Sequence, residues 1–97
     1  MRNVIITGAT RGLGLAMVAR LLREDGYRII AIGRRETPEL AALIAAHPDR
    51  VLWRPYDLAD LEGIPALVTG ITREVGPLYG LVNNAGVNDS VGLDAGR

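Results

Sequence analysis

The sequence predicts one doubly wound α/β domain, residues 1–97, built on a parallel sheet. Four short apolar runs alternate with three amphipathic segments in the order β-α-β-α-β-α-β, and strands that alternate with helices form parallel sheets. A glycine-rich turn joins the first strand to the first helix, as expected of a βαβ unit. Right-handed crossovers then favour the strand order 3-2-1-4, with the first two helices on one face and the third on the other.

The amino-terminal half is predicted to form a strand at 3–7, a helix at 12–25, a strand at 28–32 and a helix at 38–46. The first strand is continuously apolar, which suits burial on both faces of a sheet. Apolar residues recur at helical spacing through the first helix, and Gly26 is a fitting stop after it. Thr37 is the expected N-cap of the second helix, with Pro38 at its first position.

The carboxyl-terminal half is predicted to form a strand at 51–54, a helix at 61–75, a strand at 78–82 and a loop at 87–97. Trp53, within the third strand, is expected to pack in the core rather than stack on a ligand. Asp60 is the candidate cap of the third helix. Pro65 falls in the first turn of that helix, where a missing N–H costs little.

Composition excludes several classes of function. The formal net charge is zero, which gives no reason to expect nucleic acid or an anionic membrane as a partner. The chain contains no Cys, so disulfides and thiolate metal sites are excluded, and no metal site is expected. No apolar run approaches the roughly 20 residues that span a bilayer. The first strand begins too early for a signal peptide, so we expect a cytoplasmic protein.

The stretch from Thr7 to Gly14 carries the strongest functional signal. Gly8 permits a tight turn off the strand, Gly12 lets the backbone approach a pyrophosphate, and Gly14 lets the helix lie close on the sheet. The first N–H groups of the helix have no partner inside it, so a phosphate is stabilised there. The alternative is an ordinary glycine-rich turn. The motif predicts a Rossmann-type dinucleotide site whose contacts include Gly8, Thr10, Arg11, Gly12, Leu13 and Gly14.

The end of the second strand predicts which dinucleotide is preferred. An NAD-binding chain commonly places a carboxylate there, to accept hydrogen bonds from the ribose 2′-OH. This sequence places Arg34 and Arg35 there instead, and a guanidinium can bind a 2′-phosphate bidentately. Arg11 can flank the same phosphate, so we expect NADP rather than NAD. The alternative is a solvated charge run in which Glu36 neutralises one of the arginines.

These residues resemble the classical short-chain dehydrogenase/reductases. The resemblance is carried by Thr7-Gly8-x-x-x-Gly12-x-Gly14, by Asp57 after the third strand, and by Asn83-Asn84-Ala85-Gly86 after the fourth. It implies an NADP-dependent oxidoreductase that reduces a carbonyl or oxidises an alcohol. As far as Gly86 the chain is most similar to 3-oxoacyl acyl-carrier-protein reductase. The tail that follows resembles the L-fucose dehydrogenase type, so the substrate stays open.

The resemblance also implies roles for individual residues. Asp57 would hydrogen-bond the adenine amino group, with the Leu58 backbone beside it, although Asp57 can also be a helix cap. Asn83 would tie the fourth strand to its neighbours. Ala85 and Gly86 would line the adenosine ribose and the approach to the nicotinamide, and Asn84 is expected among the cofactor contacts. The alternative for the two asparagines is a plain turn.

The catalytic set that the family implies, a Ser and a Tyr followed four residues later by Lys, is missing. The only Ser is Ser90, which comes too early, and the chain has no Lys. The resemblance therefore implies the cofactor-binding half of a longer enzyme, which acts on a small molecule and is a homo-oligomer at full length. A non-catalytic NADP-binding module and a remnant without function are the alternatives. An open apolar edge on the fourth strand predicts marginal stability and poor solubility for the isolated piece.

Overall fold

The computed structural model describes residues 1–84 of the chain. These residues form four strands, three α-helices and one short 3₁₀ helix. The strands are β1 (Arg2–Thr7), β2 (Tyr27–Gly33), β3 (Val51–Pro55) and β4 (Leu78–Val82). The α-helices are α1 (Gly12–Leu22), α2 (Pro38–Ala46) and α3 (Ile64–Val75), and the 3₁₀ helix is Leu61–Gly63.

The four strands form one parallel sheet in the order β3-β2-β1-β4, so the predicted fold class and strand order are confirmed. β1 and β2 pair without interruption from Arg2 opposite Tyr27 to Thr7 opposite Ile32. The pairing of β1 with β4 shifts register after Asn3. Because all strands are parallel, their carboxyl ends meet along one edge, where ligands of open α/β sheets bind.

Apolar side chains on the two faces of the sheet form two cores. On one face, Val4, Ile6 and Ile29 pack against α1 and α2, with Val18 and Leu40 completely buried. The other face packs against α3, and its buried residues are Ile5, Ile30, Ile32 and Ile71. The helices therefore cover the faces as predicted. Burial of the central strands on both sides explains why their sequence is continuously apolar.

α1 is three residues shorter than predicted, and a distant arginine explains where it stops. The N–H groups of Arg23 and Glu24 bond to carbonyls three residues back, which tightens the last turn. Arg50 then donates to the carbonyls of Leu21, Leu22 and Glu24 and, through Nε, to that of Tyr27. The carbonyls at the end of α1 thus bond to a side chain 26 to 29 residues away.

The expectation that Asp60 caps the third helix is wrong. Asp60 makes no side-chain capping hydrogen bond within the described range, and a 3₁₀ turn precedes the α-helix, which begins at Ile64. The hydroxyl of Tyr56 donates to the Asp60 carbonyl at 2.5 Å, which fixes the backbone there. Asp57 organises this turn instead, since its Oδ1 accepts the Ala59 N–H at 2.9 Å.

β4 lies at an edge of the described sheet. Among residues 1–84 it pairs only with β1, and Tyr79 and Leu81 are each 64% exposed. The predicted apolar edge is therefore present in this part of the chain, whereas the predicted poor solubility stays a prediction. Within the same range, no helix is long and apolar enough to cross a membrane.

Candidate cofactor-binding site

The turn after β1 adopts the backbone conformation that its glycines permit. Gly8 and Gly12 have φ values of 61° and 59°, in the left-handed region that side chains other than glycine rarely adopt. Gly14 is required for a different reason. A Cβ on Gly14 would overlap the carbonyl oxygen of Gly8 and lie 2.8 Å from Nδ2 of Asn84. α1 can therefore approach the end of β1 closely only because residue 14 has no side chain.

Within residues 1–84, no side chain caps the amino end of α1. Its N-cap, Arg11, is extended and makes no side-chain capping hydrogen bond among the described residues. The first turn contains no acidic residue. The N–H groups of Gly12, Leu13 and Gly14 lie at the positive end of the helix dipole, where an anion is stabilised.

A cleft of about 900 Å³ opens at the carboxyl edge of the sheet and continues along α3 and β4. Six of the predicted cofactor contacts line it, namely Gly8, Thr10, Arg11, Arg34, Asp57 and Leu58. Five others do not line it: Arg35, Gly12 and Leu13, which are exposed, and Gly14 and Asn84, which are buried. The last two predicted contacts, Ala85 and Gly86, lie outside the described residues.

Arg34 and Arg35 are exposed after the end of β2. Within residues 1–84 the ion pairs are Arg20 with Glu24 and Arg54 with Glu74, so no described carboxylate neutralises either arginine. Glu36 in particular forms no ion pair in this part of the chain. Arg34 reaches the cleft and Arg35 does not, so Arg34 is the better placed of the two to meet an anion there.

The loop after β3 is fixed by its own side chains. One carboxylate oxygen of Asp57 is held by the Ala59 N–H, and both Asp57 and Leu58 line the cleft. Tyr56 holds the far end of this loop through Asp60. Desolvation, followed by the nearby charge of Asp60, raises the pKa of Tyr56 above its ordinary value. The hydroxyl of Tyr56 therefore stays protonated and donates its hydrogen bond at neutral pH.

The residues that follow β4 contact the glycine turn. Thr7 Oγ1 donates to Oδ1 of Asn83 at 3.0 Å and accepts the Asn84 N–H at 2.8 Å. Asn84 is 2% exposed, and its Nδ2 donates to the Gly8 carbonyl at 3.2 Å. The two asparagines thus connect the ends of β1 and β4 beside the glycine turn.

Sequence reasoning missed two residues of this site. Thr37 was expected only to cap α2, but it also donates to the Thr10 carbonyl. Tyr56 was not considered as a residue that shapes the loop. The sequence carries no signal for this role, which appears only in the structure, where a Cβ added to Gly63 would overlap the tyrosine hydroxyl. No three His, Asp or Glu residues come together as a metal site in the described range.

Comparison with known proteins decides the family. The family model of short chain dehydrogenases matches residues 2–95. The chain belongs to the short chain dehydrogenase family. Its relatives include benzil reductase ((S)-benzoin forming) from Bacillus cereus, which is 34% identical over 90 residues. That match covers 89% of this chain and 36% of the relative.

Solved structures of short chain dehydrogenases share the fold. One from Saccharomyces cerevisiae superimposes with a TM-score of 0.78 at 25% identity. The match covers 97% of this chain and 39% of the yeast chain. One from Burkholderia multivorans, solved with NADP bound, has a TM-score of 0.64 at 34% identity. It covers 73% of this chain and 31% of its own. This short chain dehydrogenase sequence thus spans about a third of the length of the relatives it matches.

Proposed function

We propose that residues 1–97 are the amino-terminal, cofactor-binding part of an NADP-dependent short chain dehydrogenase. The observation that carries the proposal is the position of Arg34, which lines the same cleft as Gly8, Thr10 and Arg11, the N-cap at the uncapped amino end of α1. Both features attract anions, and neither is neutralised by a described carboxylate. NADP carries phosphates at two separate places, which fits two separate cationic features.

The residues present fit the adenosine half of such a cofactor. The turn from Gly8 to Gly14 would hold the pyrophosphate, Arg34 and Arg11 the 2′-phosphate, and Asp57 the adenine. The nicotinamide ring, when bound, would supply or accept a hydride. A relative solved with NADP bound supports the choice of cofactor.

The reaction proposed for the whole enzyme is reduction of a carbonyl or oxidation of an alcohol on a small molecule. A benzil reductase among the relatives supports carbonyl reduction. The motifs as far as Gly86 favour a 3-oxoacyl acyl-carrier-protein reductase, and the tail at 87–94 favours a sugar dehydrogenase of the L-fucose type. Cytoplasmic location and homo-oligomeric assembly are proposed with it.

A non-catalytic NADP-binding module is the second candidate. The reading frame after Arg97 separates the two candidates. A Ser followed about a dozen residues later by Tyr-x-x-x-Lys supports the enzyme, and an in-frame stop supports the module.

The cofactor assignment is tested by titrating the chain with NADPH and NADH in parallel. Arg34→Asp removes charge-assisted hydrogen bonds worth roughly 1.5–3 kcal/mol each, so we expect NADPH affinity to fall at least about tenfold while NADH affinity is kept. Arg73→Asp is the matched control, because Arg73 is exposed in the last turn of α3, at the opposite edge of the sheet. Equal NADPH affinity in wild type and Arg34→Asp would refute the assignment.

A further inference from the structure

The hydroxyl of Thr37 joins two segments of the candidate site. It donates to the Thr10 carbonyl, in the glycine turn, at 2.5 Å. It also accepts the Leu40 N–H at 3.2 Å, as the N-cap of α2. The hydroxyl therefore donates one hydrogen bond to the glycine turn and accepts one from the start of α2, so it forms a junction between these two segments. A helix cap alone needs only the second of these bonds.

Close packing supports the same junction. A Cβ on Gly33, the last residue of β2, would lie 2.8 Å from Cγ2 of Thr10 and 3.3 Å from Cη2 of Trp53. The Ala9 N–H also donates to the Ile32 carbonyl at 3.3 Å. The glycine turn thus rests on the end of β2 at two further points, and the bond to Thr37 connects it onward to α2.

The junction links the two groups that would bind phosphate. Arg11 follows Thr10 directly, and Arg34 precedes Thr37 by three residues. Bidentate contacts between guanidinium and phosphate require accurate placement, and a displacement of about 1 Å is enough to weaken them strongly. The short segment from Arg34 to Glu36 is exposed, so its position depends on the residues at its two ends.

We propose that Thr37 is a positioning residue for cofactor preference. Its hydroxyl holds the Arg34 segment against the glycine turn, so that a pyrophosphate on the turn and a 2′-phosphate at Arg34 are bound in one fixed geometry. The proposal rests on the proposed function, because it concerns how the chain distinguishes NADPH from NADH. Thr37 acts through Arg34, with no contact of its own to the dinucleotide.

The test measures dissociation constants for NADPH and NADH on the 97-residue chain and its variants. Thr37→Val removes both hydrogen bonds, but the proposed positioning depends on the bond to Thr10. We therefore expect the NADPH-over-NADH preference to fall about fivefold, the effect of that one hydrogen bond. Thr37→Ser keeps both bonds and should keep the wild-type preference. Thr37→Gly serves if the valine variant does not fold, because glycine is tolerated at N-caps but cannot donate to Thr10.

A double-mutant cycle with Arg34→Ala separates positioning from general stability. If Thr37 acts through Arg34, the change at residue 37 should leave the NADPH-over-NADH ratio unaltered once Arg34 is gone. A hydroxyl with a purely structural role would lower the urea midpoint of Thr37→Val without changing that ratio.

The outcomes distinguish this inference from the proposed function. A wild-type chain that binds NADPH and NADH equally overturns the NADP assignment, and the role of Thr37 falls with it. A wild-type preference that persists in Thr37→Val and Thr37→Gly overturns the role of Thr37 alone. The role of Thr37 is also overturned if Thr37→Val lowers the NADPH-over-NADH ratio equally in the presence and in the absence of Arg34. The inference is supported if the NADPH-over-NADH preference falls in Thr37→Val and is kept in Thr37→Ser. It also requires that Thr37→Val lower the preference no further in a chain that already carries Arg34→Ala.

Discussion

Replacing Gly14 by Ala tests how closely α1 must lie on β1. The new Cβ would overlap the Gly8 carbonyl oxygen and approach Nδ2 of Asn84 to 2.8 Å. The oxygen belongs to the backbone, so a side-chain rotation cannot relieve the clash. Either α1 moves outward or the turn at Gly8 opens, and either movement displaces the hydrogen bond between Asn84 and the Gly8 carbonyl.

The size of the effect follows from those contacts. Overpacking costs about 1–3 kcal/mol, and a buried amide that loses its partner costs about 1–3 kcal/mol more. We expect a loss of about 2–5 kcal/mol, because the two effects share one movement and do not add in full. Complete domains have free energies of unfolding of about 5–15 kcal/mol, and the open edge of β4 predicts a value at the low end for this chain, so most of it would be lost.

Gly70→Ala is the matched control. Gly70 also lies within a helix, α3, but it is exposed and a Cβ there would meet no atom within 4 Å. The substitution should stabilise the chain by about 0.5–1 kcal/mol, because Ala loses less backbone entropy than Gly. The two alanine variants are therefore expected to differ in opposite directions from the wild type.

Urea unfolding followed by Trp53 fluorescence measures both variants, since the chain has a single Trp and it lies in β3. At about 4–8 °C per kcal/mol, Gly14→Ala should also lower Tm by about 8 °C or more. If Gly14→Ala and Gly70→Ala unfold at the same urea midpoint, the close approach of α1 to β1 is not what residue 14 provides. NADPH titration of both variants then tests whether the glycine turn has kept its shape.

Two further predictions concern side chains that fix the framework of the site. Arg50→Ala should lower the free energy of unfolding by about 3 kcal/mol, since it leaves four carbonyls at the end of α1 and the start of β2 without their charged donor. Urea midpoints measure this loss. Arg50→Lys should recover only part of it, because an ammonium lacks the planar arrangement of donors of a guanidinium. Tyr56→Phe should be less stable than wild type at neutral pH, through loss of the bond to Asp60. Desolvation raises the pKa of Tyr56 above 10.0 in the folded chain, so its stabilising effect is complete below pH 10 and is lost as the pH rises through the raised value. The Tm values of the two proteins should therefore converge as the pH rises above 10, and a constant difference would contradict the assigned cause.

The strands and their order could be predicted because the signal is local and strong. β1 and β2 each contain a continuous apolar run, at 4–6 and 29–32, and a parallel sheet buries such runs on both faces. The glycine turn was equally readable, since the conformation at Gly8 and Gly12 is one that few other residues adopt. Because crossover connections between parallel strands are short and right-handed, only a few orders of the four strands are then possible.

The ends of helices and the connections within the site could not be predicted in the same way. Where α1 ends depends on Arg50, and the second bond of Thr37 depends on Thr10, 27 residues away. The sequence around Thr37 predicts a helix N-cap, but that prediction concerns only the bond that the hydroxyl accepts from Leu40 within α2. The failure at Asp60 has the same origin, because Tyr56 fixes its backbone and Asp57 supplies the carboxylate for the turn.

The hydrogen bonds around the glycine turn explain why this region suits an anion. Thr37 and Asn84 hold the turn by donating to the carbonyls of Thr10 and Gly8, so the side chains that fix it use its acceptors. The N–H groups at the start of α1 have no side-chain cap in the described range, and they keep their capacity to donate. A turn held by its carbonyls is rigid before any ligand arrives, which lowers the entropy cost of binding a phosphate. An acidic side chain that capped α1 would stabilise the helix further, but it would use the free N–H groups and repel the pyrophosphate.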